Sequence, residues 1–180
     1  MSTMVEPKLA APGAGLPGPE LMIARFLFKK RLRSGTRESF VAHFQKERQQ
    51  IAAIVAATPF EQAGRRVLIE RVRGLEDSSR FWSVWMTLEH LRIVHERMTT
   101  TVECLAKRVM PAGKVRTADV KPDAHVGADV VDEYERSCEK LLSAFAAIPD
   151  LKTELRFEHP WFGPLDAFGW LALAAGHMSI

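Results

Sequence analysis

Cysteine is scarce in this chain, which has only Cys104 and Cys138 among its 180 residues. Two isolated cysteines form neither a disulfide framework nor the paired spacing of a zinc ribbon. Such usage is typical of a reducing compartment, so we expect a cytoplasmic protein. A Cys-x-x-Cys pair, a Gly-rich phosphate loop and a recognisable Ser-His-Asp arrangement are also missing. Their absence argues against dithiol redox proteins, P-loop nucleotidases and serine hydrolases.

Long hydrophobic runs are absent as well. The stretch from Leu21 to Phe28 is apolar, but it is short and contains Arg25. A membrane-spanning helix needs about 20 apolar residues, so we predict no transmembrane segment. Residues 1–19 are rich in proline, glycine and alanine, and they lack the basic start and long apolar run of a signal peptide. We predict that they form a flexible tail.

The formal net charge is only +3, and its one local concentration is the run Lys-Lys-Arg-Leu-Arg at residues 29–33. Such a run could contact nucleic acid or an anionic membrane. The better interpretation is the end of a short amphipathic helix over residues 20–33, because basic side chains suit the negative end of the helix dipole. We therefore predict no nucleic-acid partner, and a helix that packs across the rest of the domain.

Helical periodicity dominates the remaining sequence. Helices are predicted over residues 37–57, 79–110 and 126–148, and from Pro164 to the end of the chain. In the first, the apolar face is formed by Phe40, Phe44, Ile51, Ile54 and Val55. In the second, apolar residues recur from Phe81 to Val109 at alternating spacings of three and four, which is typical of the seam of an antiparallel bundle. The predicted fold is all-α, an up-down four-helix bundle with an extra short N-terminal helix, forming one domain over residues 20–180.

The histidines are the residues most able to carry chemistry. His177 lies in the last predicted helix among almost entirely apolar neighbours. A buried imidazole without a partner costs about 1–3 kcal/mol, and a metal ion shared with a neighbouring helix is one possible partner. His90 and His95 lie about 140° apart around their helix, so they cannot easily share one ion. Periodicity favours His95 as the inward residue, although a lone histidine there is more often a hydrogen-bonded core residue.

Three short motifs occur in a recognisable order. They are Trp82-Ser-Val-Trp-Met-Thr-Leu-Glu-His90-Leu, then His159-Pro-Trp-Phe-Gly-Pro-Leu165, then Trp170 followed by His177. Over residues 36–180 the sequence resembles the DinB/YfiT-like superfamily of metalloenzymes, which are four-helix bundles. The resemblance implies a divalent metal ion, which could be zinc, nickel, iron or manganese. It places the metal ligands at His90, rather than His95, and at His177.

The resemblance also implies a third ligand, at the position after Ile180, which this sequence does not contain. The last predicted helix stops without a capping glycine, so we expect the chain to be truncated in its C-terminal helix. Trp82, His159 and Trp161 are expected to line a substrate pocket beside the metal.

Characterised members of this superfamily include transferases and isomerases that use a low-molecular-weight thiol. The resemblance thus implies a metal-dependent enzyme that acts on a small-molecule substrate, either by activating such a thiol or by hydrolysis. It leaves the catalytic residues undefined. The alternative is a non-catalytic bundle, used for dimerisation or stress-related binding, with an incomplete metal site. Bundles of this kind often pair, so a homodimer is expected.

Overall fold

The computed structural model describes residues 6–179. Its helices are α1 (Gly18–Ser34), α2 (Arg37–Ala57), α3 (Phe60–Ala63), α4 (Val84–Ala106), α5 (Val130–Ala146) and α6 (Ala167–His177). Two antiparallel pairs of short strands join β1 (Val67–Leu68) to β2 (Phe81–Trp82) and β3 (Phe157–His159) to β4 (Gly163–Leu165). Single 3-10 turns occur at Asp77–Ser79 and Thr117–Val120.

Helices α2, α4, α5 and α6 enclose the hydrophobic core. Helix α4 packs against α5 and α6, and α6 also packs against α2. Arg48 of α2 forms ion pairs with Glu135 and Glu139 of α5. These ion pairs connect α2 to α5. The prediction of an all-α four-helix bundle is confirmed, and α1 is the extra helix, packed against α6.

Helix α4 is shorter than the predicted helix over residues 79–110. It begins after Ser83, whose side chain accepts a hydrogen bond from the backbone N–H of Met86 at 3.1 Å. It ends at Ala106 because Arg108 takes a left-handed conformation, with φ of 56°. Val109, which was assigned to the apolar seam, consequently lies beyond the helix and is exposed.

Helix α6 begins three residues later than predicted. Pro164 lies in strand β4, and it belongs with the preceding residues, which were assigned to no helix, to the β3–β4 hairpin. The N-cap is Asp166, whose carboxylate accepts a hydrogen bond from the N–H of Gly169 at 2.8 Å. The prediction missed this because a proline at a first helical position and a proline in an edge strand look alike in sequence. Helix α5 is likewise trimmed at both ends, from residues 126–148 to Val130–Ala146.

Helix α1 begins at Gly18 rather than at residue 20, and the turn to α2 passes through Gly35. A Cβ atom on Gly35 would lie 2.1 Å from the ring of Phe40, so the aromatic ring packs against the bare backbone. Of the predicted tail, residues 1–5 lie outside the described residues. Residues 6–17 contact later segments at several points: Glu6 forms an ion pair with Arg66, and the N–H groups of Ala10 and Gly15 donate to the carboxylates at positions 77 and 76. Whether the tail is flexible stays a prediction.

Helix α2 has the predicted bounds, but its inward face is narrower than predicted. Phe40 and Phe44 are buried, and Ile51 and Val55 are partly buried against the core. Ile54, which was assigned to the same face, is 61% exposed because it lies at the edge of the stripe. No helix within residues 6–179 combines the length and the apolar character that crossing a bilayer would require.

The packing of α2 yields a stability prediction. Phe44 is fully buried in the core, so Phe44→Ala removes its apolar contacts and leaves a cavity. We expect the free energy of unfolding in urea to fall by about 3–5 kcal/mol. The matched control on the same helix is Ile54→Ala, which we expect to change stability by less than about 0.5 kcal/mol. A comparable loss in both variants would contradict the assignment of the inward face.

Candidate functional site

Two histidines from different helices meet at one wall of a large cavity. His90 lies in the second turn of α4, and His177 is the last residue of α6. Their Nε2 atoms are 3.3 Å apart and their ring centroids are 5.1 Å apart. The pair that the resemblance selected is therefore brought together by the packing of α4 against α6.

The protonation of His90 follows from its backbone contact. Its Nδ1 lies 2.6 Å from the carbonyl oxygen of Val120, in the second 3-10 turn. A carbonyl can only accept, so Nδ1 carries the proton and Nε2 presents a lone pair towards His177. Burial lowers the pKa of His90, although the Val120 hydrogen bond opposes this shift. The ring is consequently neutral near pH 7, with its free nitrogen aimed at the second imidazole.

His177 is less well satisfied than its partner. Its Nδ1 atom is buried and has no hydrogen-bond partner among residues 6–179. Burial lowers the pKa of His177 well below the usual histidine value, and the neighbouring histidines add to the shift. An imidazole held neutral with one nitrogen facing a second neutral imidazole is a natural donor pair for a cation.

His95 has a different role from His90. It is only 1% exposed, as the periodicity predicted, and its Nδ1 lies 3.1 Å from Ser137 Oγ. The Ser137 hydroxyl donates to the carbonyl of Tyr134, so it accepts from His95 and fixes the proton on Nδ1. The histidine at the buried seam position is therefore His95, as periodicity predicted. The histidine that contacts His177 is His90, which the resemblance selected. Burial lowers the pKa of His95 to about 3.

The cavity beside the histidine pair has a volume of about 740 Å³ and is lined mainly by apolar side chains. Two of the three predicted pocket residues, His159 and Trp161, line it from the β3–β4 hairpin. The backbone N–H of Trp161 donates to His159 Nδ1 at 3.2 Å, and burial lowers the pKa of His159 to about 4. The indole N–H of Trp170, on the same wall, has no partner among the described residues.

Trp82 does not line this cavity. Its ring packs against the ring of His90, with centroids 5.0 Å apart, and lies 5.3 Å from Lys121 Nζ. It therefore supports the candidate ligand from outside, because it limits the orientations that the imidazole can adopt.

A buried ion pair holds the loops next to His90. Glu76 is only 4% exposed, and Lys121 Nζ donates to its Oε2 at 2.8 Å. The backbone N–H of Gly15 and the hydroxyl of Thr117 donate to Oε1 of the same carboxylate. Burial alone would raise the pKa of Glu76, but the hydrogen bonds from Lys121, Gly15 and Ser78 lower it to about 2. The side chain therefore stays ionised in the native protein.

Several residues of the site could not be predicted from the sequence. Val120, whose carbonyl orients His90, and the Glu76–Lys121 pair occur in segments without regular periodicity. Phe28 and Arg31 of α1 also line the cavity. The sequence predicted only that α1 packs across the domain. It did not indicate which wall of the cavity α1 covers.

The histidine pair is not accompanied by a complete ligand set. Within residues 6–179, no group of three or more histidine, cysteine, aspartate or glutamate side chains is placed to hold one metal ion. The predicted third ligand, after Ile180, lies outside the described residues. The assignment of His90 and His177 as metal ligands therefore stays a prediction.

Comparisons with known proteins support the fold alone. The structure is similar to one described as the crystal structure of TT2238, a four-helix bundle protein, with a TM-score of 0.55 and 19% sequence identity. The match covers 79% of this chain and 94% of that one. No protein-family model matches the sequence, and no curated protein is significantly similar to it. The chain thus belongs to the four-helix bundles by structure, and its likeness to the DinB/YfiT-like superfamily rests on the motifs.

The buried ion pair yields a pH-dependent prediction. The pKa of Glu76 falls from 4.5 to about 2 on folding, which corresponds to about 3 kcal/mol of stability. A lowered pKa stabilises the native state above the unfolded pKa, and this contribution is lost as the pH falls from about 5 towards 2. We expect Glu76→Gln to lose up to about 3 kcal/mol at pH 7 in urea unfolding.

The difference between the wild type and Glu76→Gln should shrink steadily as the pH is lowered over this range. Glu103→Gln is the matched control, because Glu103 is exposed on α4. A Glu76→Gln deficit that is equally large at pH 3 and pH 7 would show that lost packing, rather than the ionised pair, causes it.

Proposed function

We propose that this bundle is a divalent-metal-dependent enzyme of the DinB-like kind, with His90 and His177 as two of the metal ligands. The observation that carries the proposal is the 3.3 Å separation of their Nε2 atoms. Metal–nitrogen bonds of about 2.0–2.1 Å at a tetrahedral angle place two ligand nitrogens about 3.3–3.4 Å apart. The pair therefore has the spacing that an ion between the two rings requires.

The surroundings of His90 support the same proposal. Metal-binding histidines commonly donate their other ring nitrogen to a carbonyl or carboxylate, which fixes the tautomer and the ring plane. His90 makes this contact with Val120, and Trp82 packs against its face. Its position is thus set by the fold before any ion arrives.

A metal ion at this pair would supply a Lewis acid that can lower the pKa of bound water or of a thiol. The side chains that line the cavity would hold the small molecule that reacts at the metal ion. The cavity walls from α1, α4, α6 and the β3–β4 hairpin would surround an apolar guest with mainly apolar side chains. His159 and Trp161 contribute aromatic surface to this wall, against which such a guest can pack.

The reaction class that suits this arrangement is transfer, isomerisation or hydrolysis of a small molecule, with a low-molecular-weight thiol as a possible co-substrate. The second candidate is a non-catalytic bundle used for dimerisation or stress-related binding. It is favoured by the lack of a third ligand among residues 6–179. A homodimer is compatible with both candidates and stays a prediction, as does a cytoplasmic location.

The decisive experiment is elemental analysis of tag-free protein expressed from the native-length gene, so that the predicted third ligand is included, after incubation with zinc, nickel, iron or manganese and gel filtration. We expect near-stoichiometric metal in the wild type. Loss of an orienting group alone weakens metal affinity by about 10–100-fold, so loss of a ligand should cost at least as much. His90→Gln and His177→Gln should therefore retain little metal.

Two controls isolate the ligands from other histidines. His95→Gln removes the buried seam histidine, and His125→Gln removes an exposed loop histidine. Both should keep their metal, provided that circular dichroism shows folded protein. Metal that is lost with His95 but kept without His90 would overturn the ligand assignment. A metal-free wild type under every condition would favour the non-catalytic bundle.

A further inference from the structure

Positive charge exceeds negative charge in the wall of the cavity. Two anionic residues line it, Glu76 and Glu96, against five cationic ones: Arg31, Arg97, Lys114, Arg116 and Lys121. Lys121 is paired with Glu76, and Arg116 with Asp119. Arg31 is half-buried, and among residues 6–179 its guanidinium makes neither a hydrogen bond nor an ion pair. Arg31 is thus a cation without a direct anionic partner, although the Glu47 carboxylate lies near enough to act on its charge.

Arg31 lies close to the proposed metal ligands. A Cβ atom added to Gly176 would lie 3.8 Å from Arg31 Nη1, so the guanidinium lies against the last turn of α6, one residue before His177. Phe28, one turn earlier on the same face of α1, packs on Phe162 with ring centroids 4.4 Å apart. Cation and aromatic surface are thus adjacent on one face of α1.

We propose that Arg31 binds the carboxylate of an apolar, preferably aromatic, small molecule whose body lies on Phe28 and Phe162 inside the cavity. The inference rests on the proposed function, because it assigns to that same site the chemical class of its substrate. The acid group of the guest would be held beside α6, with the rest of the molecule within the cavity that His90 and His177 line.

A carboxylate is the group that best matches this environment. The guanidinium presents a planar fork of N–H donors, which a carboxylate can accept in pairs. Burial lowers the pKa of Arg31, although the nearby Glu47 carboxylate opposes this shift. A carboxylate in direct contact with the guanidinium would offset more of the cost of burying its charge. Phe40 contacts the cation with its ring centroid 5.5 Å from Cζ, but it supplies no negative charge.

The remainder of the cavity selects an apolar body. Its volume of about 740 Å³ is within the usual range of small-molecule sites. Around Phe28 the wall consists of Trp161, Phe162 and His159, and burial lowers the pKa of His159 so that it carries no charge near neutral pH. A cationic guest would gain no anionic partner on this surface and would lose its hydration.

The test uses two probes of equal shape, 2-naphthoate and its uncharged analogue 2-naphthamide, in isothermal titration calorimetry against the full chain. We expect the carboxylate to bind at least about tenfold more tightly than the amide, because a hydrogen bond to a charged group contributes more than a neutral one. Arg31→Gln should abolish this preference while leaving the affinity for the amide unchanged.

Two further variants sharpen the interpretation. Arg31→Lys keeps the charge but loses the planar fork, so it should retain an intermediate preference. Arg33→Gln removes an exposed arginine of the same helix, which does not line the cavity, and should behave like the wild type.

Equal affinity for both probes, or no binding of 2-naphthoate at millimolar concentration, would overturn the proposal. So would a preference that survives Arg31→Gln but disappears in His90→Gln, because the carboxylate would then bind at the metal. Metal content is measured in the same samples. A metal-free wild type that still shows an Arg31-dependent preference would retain the carboxylate site and reject the metal-enzyme proposal.

Discussion

The burial of α6 on every side is the constraint on which the rest of this structure depends. Nine of its eleven residues are buried, and it contacts α1, α2 and α4. Its sequence is therefore apolar all round, with alanine and glycine where neighbours approach closely; a Cβ atom on Gly169 would lie 3.1 Å from Leu165. A central helix of this kind has few places for a polar group, which is why His177 lies at its end, where the core opens into the cavity.

Much of the bundle could be predicted because its periodicity is local information. Helix α2 has the predicted bounds, and α4 and α5 differ from the prediction only at their ends. In α4 the Ser83 cap and the left-handed Arg108 decide the boundaries. The β3–β4 hairpin was missed because strands of three residues are defined by pairing with each other, and pairing leaves no periodic signal over so short a length. Ile54 is exposed although it was assigned to the inward face of α2. Helical spacing indicates which side of a helix is buried, but not where the buried surface ends.

The candidate site was predictable to a lesser extent, and for a different reason. Periodicity correctly located a buried histidine at His95, yet the packing of α4 and α6 brings His90 to His177. Only the resemblance to a family selected that pair. The carbonyl of Val120 and the guanidinium of Arg31 come from segments distant in sequence. Neither is marked by its neighbours, because each acquires its role from the tertiary arrangement.

The carboxylate of Glu76 acts as a junction between segments far apart in the chain. It contacts Gly15, Thr117 and Lys121, and Lys121 directly follows the residue whose carbonyl orients His90. The geometry of one imidazole is thereby coupled to the N-terminal segment, some 75 positions away in sequence. A change that displaces Gly15 would therefore disturb a ring that Gly15 does not contact, so the segment around Gly15 is mechanically part of the cavity wall.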